Sequence, residues 1–214
     1  MTSYKTAWEK EGVTAIQMNA SKNGWIKNVR SFSPPEAKTQ LYHLQSVGIV
    51  LRDSKNITVT NAQMEGAQNR GHSGNGYLFE IHNSNEILIR DSQGKRGRHN
   101  FIQNGVFGTN GCVFLRVKSQ DSRGYMSVLD PVGAPFFSEY HRSLAIGNLV
   151  DQSEINDGWL AYNRGQDSSG AGHTATQNVF WNIIPTLMEH LPLISLKALD
   201  KEIDLLQVHF MKIN

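Results

Sequence analysis

The chain has a single cysteine, Cys112, and only six prolines in 214 residues. One cysteine excludes an intramolecular disulfide framework, so a core of ordinary packing must hold the fold. Cys112 sits in the apolar stretch "GCVFLRV", where a buried, unreactive thiol is expected rather than a nucleophile. No run approaches the roughly 18 consecutive apolar residues that a membrane-spanning helix requires, so a membrane partner is not expected. Charge of one sign is also missing. With 21 basic and 19 acidic residues the formal net charge is +2, which gives no basis for a nucleic-acid partner. The opening "MTSYKTAWEKEGVTAIQM" lacks the basic-then-apolar layout of a secretory leader, which fits either a cytoplasmic protein or one whose leader has been removed.

What the sequence does have is a repeated phrase. "IVLRDSKNITVTNA" at 49–62 and "FEIHNSNEILIRDS" at 79–92 share an alternating run, a small polar corner and a second alternating run. Aligned on their serines, Ile16 and Met18 precede Ser21, Ile49 and Leu51 precede Ser54, and Phe79 and Ile81 precede Ser84. Alternation at period two predicts short strands with one buried face. Recurrence every thirty or so residues predicts a solenoid whose equivalent positions stack. Serine and asparagine suit the corners because a short polar side chain bonds its own turn and the equivalent turn beside it. "CVFLRVKS" reads as a fourth copy, with Val113, Leu115 and Val117 on one face and Phe114, Arg116 and Lys118 on the other. A second phrase recurs in "NFIQN", "NLVD" and "NVFWN", with Asn148 and Asn178 thirty residues apart. Asn-Gly hairpin punctuation does not dominate, which disfavours a β-sandwich or propeller.

The expected fold is therefore all-β, a right-handed single-stranded parallel β-helix over residues 1–183. Residues 184–214 are expected to add a helical segment, because Leu196, Leu199, Ile203, Leu206 and Phe210 follow helical spacing. Such a helix would cap the exposed end of the stack or join copies into a homo-oligomer.

"NGWIKNVRSFS", "GIVLRDSKNITVTN", "GHSGNGYLFEIHNSNEILIRDS" and "SEYHRSLAIGNLVD" resemble the pectin-lyase-like superfamily of right-handed parallel β-helices, over about residues 12–183. The resemblance implies a polysaccharide partner, an extracellular or periplasmic location, and membership among lyases, glycoside hydrolases, epimerases or tailspikes. Polygalacturonase-type hydrolases carry Asn-Thr-Asp, Asp-Asp, Gly-His-Gly and Arg-Ile-Lys in order. Here "RGHSGNG" around His72 and "RVK" at Arg116 to Lys118 echo the last two, and the paired carboxylates are missing.

A lyase on an acidic polysaccharide is the leading expectation, with a glycoside hydrolase or a non-catalytic carbohydrate-binding module as alternatives. Lyase chemistry needs a base and a cation to neutralise the uronate carboxylate. Arg116, Lys118, His141 and His173 are the candidate catalytic residues, the two histidines because 32 residues separate them, about one repeat. Substrate-binding candidates are Arg98 and His99 in the basic loop "GKRGRHN", with Lys95 and Arg96 beside them. Tyr140 and Arg142 follow at the end of the long 120–141 insertion, whose aromatics Tyr125, Phe136 and Phe137 suit a sugar-stacking wall. Asp151 and Asp157, near Glu154, and Arg164, near Asp167, complete the set. No cofactor is expected. A calcium-assisted lyase is the alternative, although no loop has the density of acidic residues that about six oxygen ligands require. Zinc held by His141, His173 and an aspartate is a further option by residue type.

Overall fold

The computed structural model describes residues 12–33, 41–124, 133–184, 194–197 and 206–210. The protein is predominantly β, and its principal sheets are parallel. The first sheet orders seven strands as Thr14–Asn19, Val47–Arg52, Tyr77–His82, His99–Asn104, Ser138–Tyr140, Trp159–Tyr162 and Ile194–Lys197. The second orders Lys22–Lys27, Lys55–Thr60, Asn85–Arg90, Val113–Leu115, Leu149–Asp151, Asn178–Ile183 and Leu206–Phe210. A third, of four strands, joins Gln63–Glu65, Gln93–Lys95, Lys118–Gln120 and Glu154–Ile155. The chain visits the sheets in rotation, so each strand pairs with one from the next repeat.

The register follows the repeated phrase. Ile16 pairs with Ile49 and Met18 with Leu51, then Ile49 with Phe79 and Leu51 with Ile81. These residues continue into Phe101, Phe114, Tyr140, Val150, Trp159 and Phe180 in one buried apolar cluster. Phe79 stacks on Phe101 with centroids 4.9 Å apart. At the corners, Ser54 Oγ donates to Arg52 O at 2.7 Å within its own turn and accepts from Ser21 N at 3.1 Å in the preceding repeat. Ser84 repeats the device, accepting from Ser54 N at 2.9 Å. The adjoining corner residues Asp53, Asn56, Asn61 and Asn83 all have positive φ, a conformation that aspartate and asparagine tolerate best among residues with a side chain.

Three expectations are corrected. In "CVFLRVKS" the faces are exchanged over Val113–Leu115, where Phe114 is fully buried and Val113 and Leu115 are only half-buried, whereas beyond the corner Val117 is buried and Lys118 exposed as expected. Arg116 sits at a corner with φ 50°, and this break in alternation reverses the reading. "NFIQN" lies in the first sheet, whereas "NLVD" and "NVFWN" are neighbours in the second, where Asn148 N and Nδ2 both donate to Asn178 Oδ1 at 2.8 Å. The predicted C-terminal helix is absent from the described parts of its segment. Ile194–Lys197 and Leu206–Phe210 are strands that extend the first and second sheets, and the rest of 185–214 lies outside the described residues. "ISLK" and "LQVHF" also alternate at period two, and the open edges of Trp159–Tyr162 and Asn178–Ile183 supply hydrogen-bonding templates that an isolated helix cannot satisfy.

Candidate functional site

The outer face of the first sheet carries a cleft of about 810 Å³. Two ladder columns supply residues to it, Val50, Glu80 and Glu139 from the first and Arg52, His82 and Asn104 from the second. Val50, Glu80, Ile102, Glu139 and Leu160 form one, paired strand by strand. Arg52, His82 and Asn104 form the other. His141 continues that column, its N–H donating to Gln103 O at 2.8 Å. Alternation puts a residue and the one two positions on over the same side, so Glu80 and His82 meet, as do Glu139 and His141.

Glu80 Oε1 lies 3.1 Å from His82 Nδ1 and accepts from Asn104 Nδ2 at 3.2 Å. A carboxylate on Nδ1 fixes the tautomer and leaves Nε2 for the cleft, which His82 lines. Arg52 pairs with His82 on the adjacent strand and lines the same space.

Glu139 is far more enclosed, its side chain 1% exposed. Its Oε1 meets His99 Nε2 at 3.1 Å and His141 Nδ1 still closer, and its Oε2 accepts from Arg164 Nη1 at 3.1 Å. His99 Nδ1 contacts Phe137 O at 2.8 Å, and its ring lies edge-on to Tyr77 and Phe136. Burial, opposed by the Glu139 carboxylate, pulls His99 down to about 3 and keeps it neutral at pH 7. Burial alone would raise Glu139, but His99, His141 and Arg164 together outweigh it and hold the carboxyl at about 2. A neutral His99 offers Glu139 no charge, so the permanent cation of Arg164 carries more of that stabilisation. His99, Glu139 and His141 bring one ligand atom each within 4.8 Å of one another, the arrangement among the described residues that suits a metal ion.

Arg98 donates to Tyr77 Oη at 2.8 Å and to Gly71 O. Burial pushes the Tyr77 hydroxyl up to about 12, so it remains protonated at neutral pH. Arg52, Arg98, Arg142 and Arg164 face the cleft against Glu80 and Glu139, an excess of positive charge. Phe136 and Phe137, stacked at 4.5 Å and half-buried, stand at one side. His72 also lines the space.

The expected site is thus divided. Arg98, His99, His141, Arg142 and Arg164 converge in the cleft. Arg116 and Lys118 line a separate groove of about 380 Å³, where each is ion-paired: Arg116 with Asp91 and Lys118 with Glu154 at 2.8 Å. His173 does not stack on His141. It forms an antiparallel bridge with Asn163, and its Nε2 lies 3.3 Å from Asn163 Nδ2. Glu139 pairs with Leu160, so the local repeat is 21 residues and a 32-residue spacing falls out of register. This removes the zinc set built on His173. Tyr140 is fully buried in the core, against Trp159 and Phe180, and cannot face a sugar. Asp151 lies on the second sheet, paired with Leu115 and Trp181. Asp157 is internal, accepting from Asn100 Nδ2 at 2.8 Å, Ser122 N at 3.1 Å and the Ser122 hydroxyl. Lys95 and Arg96 are engaged by Asp121 and Glu65, and Tyr125 lies outside the described residues. Cys112 is buried, which pushes its thiol up to about 12 as expected of an inert residue.

Arg52, Tyr77, Glu80, His82 and Glu139 are the site residues that sequence reasoning missed. Their signal was the Glu-x-His spacing in "FEIH" and "SEYH", which on a strand places carboxylate and imidazole on one side. No family model, curated protein or solved structure matches the chain.

Proposed function

We propose that this chain is a right-handed parallel β-helix of the pectin-lyase-like kind, and that it cleaves an acidic polysaccharide by β-elimination in the cleft on its first sheet. The rotation of the chain through three parallel sheets supports the solenoid. The observation that carries the chemistry is the placement of Arg52 beside His82 on adjacent strands, with Glu80 behind the imidazole.

Strand neighbours stand about 4.8 Å apart, so one uronate residue reaches both side chains. The Arg52 guanidinium binds the uronate carboxylate and stabilises the charge that develops as the adjacent carbon loses its proton. His82 Nε2 accepts that proton, and Glu80 stabilises the imidazolium that forms. The carbon's electron pair becomes the C4–C5 double bond, the C4–O bond breaks, and the departing glycosidic oxygen takes a proton from water. Arg98, Arg142 and Arg164 extend the positive field to neighbouring sugars, and Phe136 and Phe137 supply an apolar face.

Incubation with a panel of uronate polysaccharides, followed by the ultraviolet absorbance of the unsaturated product, tests this reading. His82→Ala and Arg52→Ala should abolish the signal, by about 100-fold or more for the base, while Arg116→Ala and Lys118→Ala retain it. Absence of product with every acidic glycan, or full activity in His82→Ala, overturns it.

Glu80 and Glu139 support a second reading, a glycoside hydrolase. They occupy one column with Ile102 between them, so their backbones are roughly 10 Å apart, near the carboxylate spacing of inverting enzymes. Glu139, held ionised, suits the base and not the acid. New reducing ends without ultraviolet absorbance would select this reading.

A further inference from the structure

We propose that His99, Glu139 and His141 are the protein ligands of a zinc-class divalent cation in the floor of the cleft, a site that stands apart from the glycan reading. Three atoms converge there: His99 Nε2, Glu139 Oε1 and His141 Nδ1. Two of them are in acceptor form when their other contacts are satisfied. His99 spends its Nδ1–H on Phe137 O at 2.8 Å, leaving a lone pair on Nε2. His141 Nδ1 stands against Glu139 Oε1 and 3.2 Å from Arg164 Nη1, and it serves as a ligand by turning its lone pair to the ion while Arg164 keeps its bond to Oε2. Glu139 Oε1 has lone pairs only, because Arg164 occupies Oε2 and is itself held by Ser168 Oγ at 2.7 Å. The lone pairs of His99 Nε2 and Glu139 Oε1, 3.1 Å apart in a dry setting, repel unless a cation stands between them.

The donor set selects the ion. Two imidazoles and one carboxylate are the ligands of open zinc sites, whereas calcium asks for six or more oxygens. Bonds of about 2.0–2.1 Å in tetrahedral geometry put ligand atoms roughly 3.3 Å apart, and His99 Nε2 and Glu139 Oε1 are already 3.1 Å apart. The surroundings fit as well. Phe137 O on the far nitrogen of His99 is the backbone contact that orients metal-binding imidazoles, and Arg164 on Oε2 steers the other oxygen inward. His99 and Glu139 lie in strands of the first sheet and His141 directly follows Ser138–Tyr140, and the fourth position opens toward the cleft that they line. The nearby guanidinium opposes a cation and so lowers the affinity without blocking the ligand atoms.

The test uses the full chain without a histidine tag, stripped by chelator and titrated with Zn²⁺ by calorimetry, and with Co²⁺ while its visible absorption is followed. One Zn²⁺ per chain is expected, with a cobalt band of four-coordinate intensity that Zn²⁺ bleaches and Ca²⁺ does not. His141→Gln should weaken Zn²⁺ at least about tenfold, while His173→Gln, outside the cleft, changes nothing. His99→Gln is the second variant should the first misfold by circular dichroism. No zinc uptake by the unaltered chain, or equal affinity in folded His141→Gln, overturns the site. Both readouts are independent of glycan cleavage, so either proposal fails without the other.

Discussion

Glu80 and Glu139 stand in one ladder column on either side of Ile102, and each turns an oxygen to the histidine two residues further along its strand. The same device is set in two environments. Around Glu80 the partners are His82 and Asn104. Around Glu139 a third partner, Arg164, joins His99 and His141 through the second carboxylate oxygen, and the carboxylate side chain is 1% exposed.

The difference predicts unequal costs of neutralisation. Glu139→Gln leaves Arg164, itself only 15% exposed, without its counter-ion, and removing one member of a buried pair costs about 3–5 kcal/mol. Glu80→Gln leaves no permanent cation stranded and should cost about 1–2 kcal/mol, the scale of a lost hydrogen bond to a charged group. Urea unfolding of both variants with chelator present measures the contrast. Equal losses would show that Arg164 contributes nothing to holding Glu139.

Asp157 predicts a dependence on pH. Burial raises its carboxyl to about 6, against the pull of Ser122 and Ser119, and Oδ1 is buried without a partner. A raised carboxyl means that the folded state binds the proton more tightly than the unfolded state. The native protein is therefore favoured below the unfolded value of 3.8 and loses stability as pH rises to 6, above which the loss is complete. A rise from 3.8 to about 6 corresponds to about 3 kcal/mol. In Asp157→Asn this slope should disappear. The difference between the two proteins, followed by urea unfolding from pH 4 to 7, isolates Asp157 from the other titrating groups. A constant difference across that range would refute the assignment.

The scaffold was legible because its signal is local and periodic. Ile49, Leu51, Phe79 and Ile81 announce their pairing by alternation, and the corner serines by their place between two runs. The cleft was half legible. Basic and aromatic residues in the insertions identified Arg98, His99, His141, Arg142 and Arg164, because insertions are where a repeat has freedom to add chemistry. Arg52, Glu80 and His82 were hidden inside the repeat itself, where outward polar positions read as ordinary solvated surface. Arg116 and Lys118 misled for a related reason. Two basic residues in a strand-like run resemble a functional pair, but a corner at positive φ turned them toward Asp91 and Glu154. His141 and His173 misled because the insertion resets the repeat length, so equal spacing along the chain no longer means equal height in the sheet.

Arg116 and Lys118 should accordingly be dispensable. Their side chains are 43% and 48% exposed, so water and salt screen both pairs, and surface pairs of this kind contribute little. Replacing both with alanine should leave the thermal midpoint and any activity on glycans unchanged within error. A large fall in activity with stability intact would move the catalytic groove to the third sheet.

The second phrase makes the sharpest stability prediction. Asn178 Oδ1 accepts from both Asn148 N and Asn148 Nδ2 at 2.8 Å, and Asn178 Nδ2 donates to Ala145 O at 2.8 Å. Both asparagines are at least 98% buried, so water cannot replace what alanine would remove. Asn178→Ala strands a backbone N–H and a carbonyl and leaves Asn148 Nδ2 only its 3.4 Å bond to Thr109 O, at about 1–3 kcal/mol for each unsatisfied group. The total should reach several kcal/mol even after partial relaxation. Asn23 and Asn56 make the same side-chain bond at 2.8 Å but in an exposed corner, where solvent takes over the freed groups. Asn56→Ala should therefore cost less than about 1 kcal/mol, apart from whatever its left-handed φ of 55° adds. Urea midpoints for the two variants decide the matter. If Asn178→Ala is as mild as Asn56→Ala, the buried asparagine stack is not what fixes the spacing of the second sheet.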